Sequence, residues 1–108
     1  VYADKSKISE ALFQRYFDLT LRPGNRQAFV ERLKVTYDSS YLKQINYIQQ
    51  PTLILWGKKD SLITIESAYR FHRDLPNDTL VILKNSGHVP MEESPVESLK
   101  AVLSFIED

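Results

Sequence analysis

Two rhythms of hydrophobic and polar residues run along the chain, and each predicts a different kind of element. The run Thr52-Leu53-Ile54-Leu55-Trp56 is apolar without alternation and lies between Pro51 and Gly57, which predicts a short parallel strand buried on both faces. Residues 64–75 then carry Ile65, Ala68, Phe71, His72 and Leu75 at helical spacing until Pro76-Asn77-Asp78 breaks the pattern, so a helix is expected there. A second apolar run, Thr79-Leu80-Val81-Ile82-Leu83, leads into Asn85-Ser86-Gly87-His88. Strand, helix and strand in that order predict one βαβ unit, with Asp60 just past the first strand and His88 just past the second.

Ahead of this unit the rhythm is helical. Ser9 is placed to cap a helix starting near Glu10, with Ile8 and Phe13 as a hydrophobic staple. Leu12, Phe13, Tyr16, Phe17, Leu19 and Leu21 give that helix apolar surface on more than one side, so it must pack against something. Arg22-Pro23-Gly24-Asn25 stops it, and Asn25 is expected to cap a second helix with Phe29, Val30, Leu33 and Tyr37 on one face, ending at Asp38-Ser39-Ser40. The charges of this helical hairpin fall mostly off the stripe and read as a solvated face. Leu42, Ile45 and Ile48 mark a short turn of helix or irregular chain leading to the first strand, and residues 1–8 are polar and expected to be frayed. At the other end Ser94, Pro95 and Glu97 predict a capping box. The helix it opens has Val96, Leu99, Val102, Leu103 and Ile106 as a stripe that would dock on the sheet.

Open α/β sheets place their sites at the carboxyl ends of strands, and neighbouring strands lie about 4.8 Å apart, so Asp60 and His88 can meet. A carboxylate that accepts the Nδ1 proton of an imidazole fixes its tautomer and leaves Nε2 to take a proton from a nucleophile. Spacing alone leaves the blander alternative open, an exposed turn aspartate and a solvated loop histidine. Ser61 has no elbow around it and reads as a turn residue. His72, at the edge of its helix's apolar stripe, reads as partly buried structure. Glu92 and Glu93 near His88 are a weak metal signal, because there is no second imidazole at i+4 and Pro90 breaks the helix that such a motif requires; no metal site is expected.

Charge narrows the partners. With 14 Lys and Arg against 14 Asp and Glu over 108 residues, there is no basic field to hold nucleic acid or anionic lipid. No apolar run reaches the roughly 20 residues of a membrane span, so neither nucleic acid nor membrane is expected. Composition, 43% hydrophobic and 26% charged, is that of an ordinary globular chain. The absence of cysteine excludes a disulfide framework and a thiol nucleophile and agrees with a reducing, cytoplasmic location.

The segments Pro51 to Asp60 and Ser86-Gly87-His88-Val89-Pro90-Met91-Glu92-Glu93-Ser94-Pro95 together resemble the C-terminal part of the α/β-hydrolase family. In that family the triad acid follows the seventh strand and the triad histidine follows the eighth in a Gly-His pair, and Asp60 and His88 stand at those positions. The resemblance implies an α/β fold, here partial: two parallel strands with flanking helices over residues 45–108, preceded over residues 1–44 by the end of a helical cap. It also implies that Phe13, Tyr16, Phe17 and Val89 line a substrate pocket, although simple packing between cap helices remains open for the three aromatics. It implies no cofactor.

The family's nucleophile elbow, G-x-S-x-G, is not in this chain, whose three glycines are Gly24, Gly57 and Gly87. The chain is therefore expected to be a fragment, with its true N-terminus out of view. The intact protein would be a serine-type hydrolase of a carboxylic ester or a related acyl or C–C substrate, unless the nucleophile is the aspartate of dehalogenase-like members. The alternative from another class is a non-catalytic module that binds a small ligand or a protein. Two strands leave open edges, so a homo-oligomer, or pairing with a chain carrying the N-terminal half, is expected.

Overall fold

Helix α1 (Glu10–Leu21) begins where the sequence places its cap. In the computed structural model, which describes residues 1–36 and 38–107, the Ser9 hydroxyl accepts a hydrogen bond from the Leu12 N–H at 3.1 Å. Phe13 and Phe17, one turn apart, stack with ring centroids 6.4 Å apart. The helix stops at Arg22, and Gly24 makes the turn at φ +86°, a left-handed conformation that side chains disfavour. Helix α2 (Asn25–Lys34) follows directly, with Gly24 rather than Asn25 as its N-cap. The Asn25 side chain turns back instead, and its Nδ2 donates to the Leu19 carbonyl at 2.7 Å. It joins the Arg22 N–H, at 3.4 Å, on a carbonyl in the last turn of α1, so the predicted cap serves the preceding helix. Helix α2 ends at Lys34, ahead of the predicted Asp38-Ser39-Ser40 stop; Tyr37, expected on its apolar face, lies outside the described residues. No residue of either helix is buried.

The chain divides into two compact units: Ile8–Ser39, which holds these two helices, and Val1–Lys7 together with the chain from Ser40 onward. The second unit contains the strands. A 3-10 helix, Ser39–Tyr47, leads to β1 (Thr52–Gly57), and α3 (Ile65–Asp74) connects it to β2 (Asp78–Leu83). The strands pair in parallel from Thr52 opposite Asp78 to Gly57 opposite Leu83. Ile54, Ala68 and Leu75 form the buried core, with Ile45, Trp56, Leu80 and Ile82 packed against it. Strand β1 is not buried on both faces as expected: only Ile54 and Gly57 are buried. Its one strand neighbour among the described residues is β2, and the groove along it, lined by Ile45, Ile48, Phe71 and Leu75, is open.

After β2 come a short helix, α4 (Pro90–Glu93), and the terminal helix α5 (Pro95–Glu107). Here the sequence misleads about which face packs. Val96, Leu99, Leu103 and Ile106 are exposed, and the inward face is Ser98, Ala101 and Phe105. Ser98 is small and its hydroxyl donates to the Pro90 carbonyl at 2.9 Å, so α5 approaches α4 closely on a face that hydrophobicity alone does not pick out. The predicted capping box is replaced as well: the Ser94 hydroxyl accepts from Ser86 Oγ at 2.7 Å, and its carbonyl accepts from Ser98 N–H at 2.9 Å. Among the described residues no helix is long and apolar enough to cross a membrane.

Candidate active site

The two loops at the carboxyl ends of β1 and β2 are tied to each other before any side chain is considered. Lys58 N–H donates to the Leu83 carbonyl and Lys59 N–H to the Ser86 carbonyl, both at 2.9 Å. A turn closed by Asp60 N–H on the Gly57 carbonyl at 3.2 Å then directs the Asp60 carboxylate inward. Its Oδ1 accepts from the Leu62 and Ile63 amides, each at 2.9 Å, an Asx-type arrangement that aspartate forms readily. Its Oδ2 lies 2.9 Å from His88 Nδ1. The acid's side chain is 4% exposed and the imidazole 32%, so the carboxylate is inside and the ring reaches out. Burial pushes the Asp60 carboxyl up, but the Ile63 amide, the His88 side chain and the Leu62 amide together outweigh it and hold it below its ordinary value. An ionised carboxylate only accepts, so the proton shared with His88 sits on Nδ1. Nε2 is then the ring's basic atom.

The histidine loop is held from a second direction. Val1 and Ala3, expected to be frayed, run beside it: His88 N–H donates to the Val1 carbonyl at 2.8 Å, and Ala3 N–H donates to both oxygens of Glu93 at 2.9 and 3.0 Å. Gly87 N–H meets the same two oxygens at 2.9 and 3.1 Å. Glu93 is 2% exposed. Nothing in the local sequence separates Glu93 from Glu92; its partner Ala3 is 90 residues away. Ser86, fully buried, supports the same loop through Ser94.

His72 is not partly buried. Its side chain is 54% exposed, and Nδ1 lies 2.8 Å from Asp78 Oδ2 at the start of β2, where it ties the end of α3 to the strand. Val89 is half-buried, directly follows His88 and caps α4. Phe13, Tyr16 and Phe17 lie exposed on α1, in the helical unit.

A strand, an acid, a strand and a histidine in this order, with the pair in hydrogen-bond contact, invite comparison with known proteins. A family model described as the alpha/beta hydrolase fold matches residues 8–95. The chain belongs to the α/β-hydrolase family. It is 31% identical over 107 residues to 2-hydroxy-6-oxononadienedioate/2-hydroxy-6-oxononatrienedioate hydrolase 2 of Pseudomonas putida, covering 96% of this chain and 37% of that protein. It is 26% identical over 102 residues to the human monoacylglycerol lipase ABHD6, covering 93% of this chain and 30% of that one. Among solved structures, a serine hydrolase involved in carbazole degradation superposes with a TM-score of 0.79 at 28% identity, over 93% of this chain and 40% of that one. An esterase from Exiguobacterium antarcticum superposes at 0.82 with 20% identity, over 99% of this chain and 39% of that one, a likeness of fold alone. The chain thus spans less than half the length of each of these relatives.

Proposed function

We propose that this chain supplies the acid and the general base of a serine-type α/β hydrolase, with Asp60 as the acid and His88 as the base, acting on a carboxylic ester or a related acyl or C–C substrate. The observation that carries this reading is the Asp60 Oδ2 to His88 Nδ1 contact of 2.9 Å, made by a buried carboxylate at the carboxyl end of a parallel strand. Relatives named as hydrolases of a dienedioate and of a monoacylglycerol support the reaction class and leave the substrate open between C–C and ester bonds.

In this reading the Asp60 carboxylate holds the ring with Nδ1 protonated. Nε2 then takes the proton of a nucleophile's hydroxyl as its oxygen attacks the carbonyl carbon, and returns that proton to the leaving group. Asp60 stabilises the imidazolium between the two transfers. The nucleophile and the oxyanion hole come from the part of the family fold that carries the G-x-S-x-G elbow, and the helical unit Ile8–Ser39 is the end of the cap.

The test has two arms. Assayed alone with a short activated ester, the 108-residue chain turns over no faster than free imidazole, since losing one oxyanion-hole donor costs about 10² to 10³ in rate and losing the nucleophile about 10⁶; acylation of any serine in it would contradict the proposal. In the whole protein that carries this chain, His88→Ala abolishes turnover and Asp60→Asn lowers kcat by about 10⁴ with binding spared. Near-normal activity of Asp60→Asn would reassign the acid.

A further inference from the structure

The residue before His88 is a glycine, the type with the widest backbone freedom, and a general base must be held within a fraction of an ångström to act. Something has to remove that freedom. Both oxygens of the buried Glu93 carboxylate receive the Gly87 N–H and, from the other side, the Ala3 N–H. The Val1 carbonyl receives His88 N–H itself at 2.8 Å. The Lys7 ammonium donates to the Glu93 main-chain carbonyl and the Tyr2 hydroxyl to the Glu92 carboxylate, so residues 1–7 grip α4 at several points. There is no slack in the clasp: a Cβ on Gly87 would lie 2.5 Å from the Val1 carbonyl oxygen, 2.7 Å from the Ala3 nitrogen and 2.9 Å from Glu93 Oε1.

We propose that Glu93 is a positioning residue for His88: its carboxylate clamps Gly87 between α4 and the Val1–Ala3 stretch and thereby sets the backbone from which the imidazole reaches Asp60. A buried carboxylate is costly unless its oxygens are satisfied by donors, and the donors it collects here are the Gly87 amide next to the base and the Ala3 amide of the Val1–Ala3 stretch beside it. Without Glu93 both amides lose their acceptor in a site with little access for water. Gly87 then regains its freedom, and the His88 to Asp60 bond is the first contact to feel it. The inference rests on His88 being the base, but the geometry it predicts can be read without any turnover.

The experiment uses the whole protein that carries this chain, with ¹⁵N-labelled histidine, as wild type, Glu93→Ala and Glu93→Gln. Imidazole ¹⁵N shifts report the tautomer and hydrogen bonding of His88, and steady-state kinetics are taken well below the unfolding temperature of each variant. Glu93→Ala is expected to lower kcat by about 10²-fold, the order associated with a misplacement of about 1 Å, with KM within about threefold of wild type, and to convert His88 from a single Nδ1-protonated form to a mixture of tautomers. Glu93→Gln keeps the volume and one acceptor oxygen and is expected to show a smaller fall in the same direction; it decides the matter if Glu93→Ala does not fold. Variants that unfold at lower temperature but keep wild-type kcat and the wild-type His88 spectrum would show that Glu93 only stabilises the loop, and would overturn the proposal. If His88→Ala keeps full activity, the base is misassigned, and the ¹⁵N spectrum of the Glu93 variants still decides whether Glu93 positions the ring.

Discussion

Gly57 sits at the end of β1, and replacing it with alanine tests whether the loops carrying Asp60 and His88 are as closely seated as the backbone hydrogen bonds imply. A Cβ built there lies 2.0 Å from the Gly87 carbonyl oxygen, 2.5 Å from the Ser86 carbonyl oxygen and 2.8 Å from the Ser86 carbonyl carbon. All three are backbone atoms, so no side chain can swing aside. Ordinary contact begins near 3.4 Å, and the histidine loop must therefore withdraw from β1 by more than about 1 Å. The Lys59 N–H to Ser86 carbonyl bond, 2.9 Å in the native fold, would be stretched past useful length. Overpacking of this kind costs about 1–3 kcal/mol, and a broken backbone hydrogen bond adds roughly 1 kcal/mol, so Gly57→Ala should destabilise the fold by about 2–4 kcal/mol, a large share of a typical domain's stability. Gly24→Ala is the comparison. Its φ of +86° is unfavourable for a side chain, but nothing lies within 4 Å of the new methyl, so only the left-handed conformation is penalised, at about 1–2 kcal/mol. Urea unfolding at a fixed protein concentration reads both values. A Gly57→Ala midpoint equal to wild type, or a smaller effect than that of Gly24→Ala, would refute the close approach of the loops.

Acid should expose the Asp60 network. Its carboxyl is held below its ordinary value of 3.8 in the fold, so the stability it contributes is present above that value and is lost as pH falls through the lower folded value; Asp60→Asn should therefore be less stable than wild type at pH 7, with the gap closing below about pH 4. A gap that stayed constant down to pH 2 would remove the carboxylate's charge from the explanation. The exposed stripe Val96, Leu99, Leu103 and Ile106, with the open groove along β1, leads us to expect the chain in an assembly, with itself or with a chain carrying the rest of the fold. Light scattering should give a mass above that of one chain, lowered by Leu99→Glu; a monodisperse monomer with a sharp unfolding transition at micromolar concentration would contradict this.

Local sequence decided the elements whose signal is local. The apolar runs at 52–56 and 79–83, the helical spacing between them and the Ser9 cap all sit within a few residues of the structure they specify, because the preference for strand, helix or cap is expressed over a turn or two of chain. The Asp60 and His88 pair was legible for a related reason: once two strands are adjacent and parallel, whatever follows each of them is brought to the same end of the sheet. Other features were decided by contacts between distant stretches. Helix α5 has one apolar stripe and a second face carrying Ser98, Ala101 and Phe105, and periodicity favours the first, yet Ser98 meeting the Pro90 carbonyl selects the second. Asn25 had two helix ends within reach and satisfied the carbonyl at Leu19 rather than the amides ahead of it. Glu93 reads from sequence as one of two neighbouring acids, and only the arrival of Ala3 beside Gly87 makes it the buried one. A hydrogen bond between residues so far apart leaves no periodic trace in either segment, so the clasp around the histidine loop belongs to the tertiary structure alone.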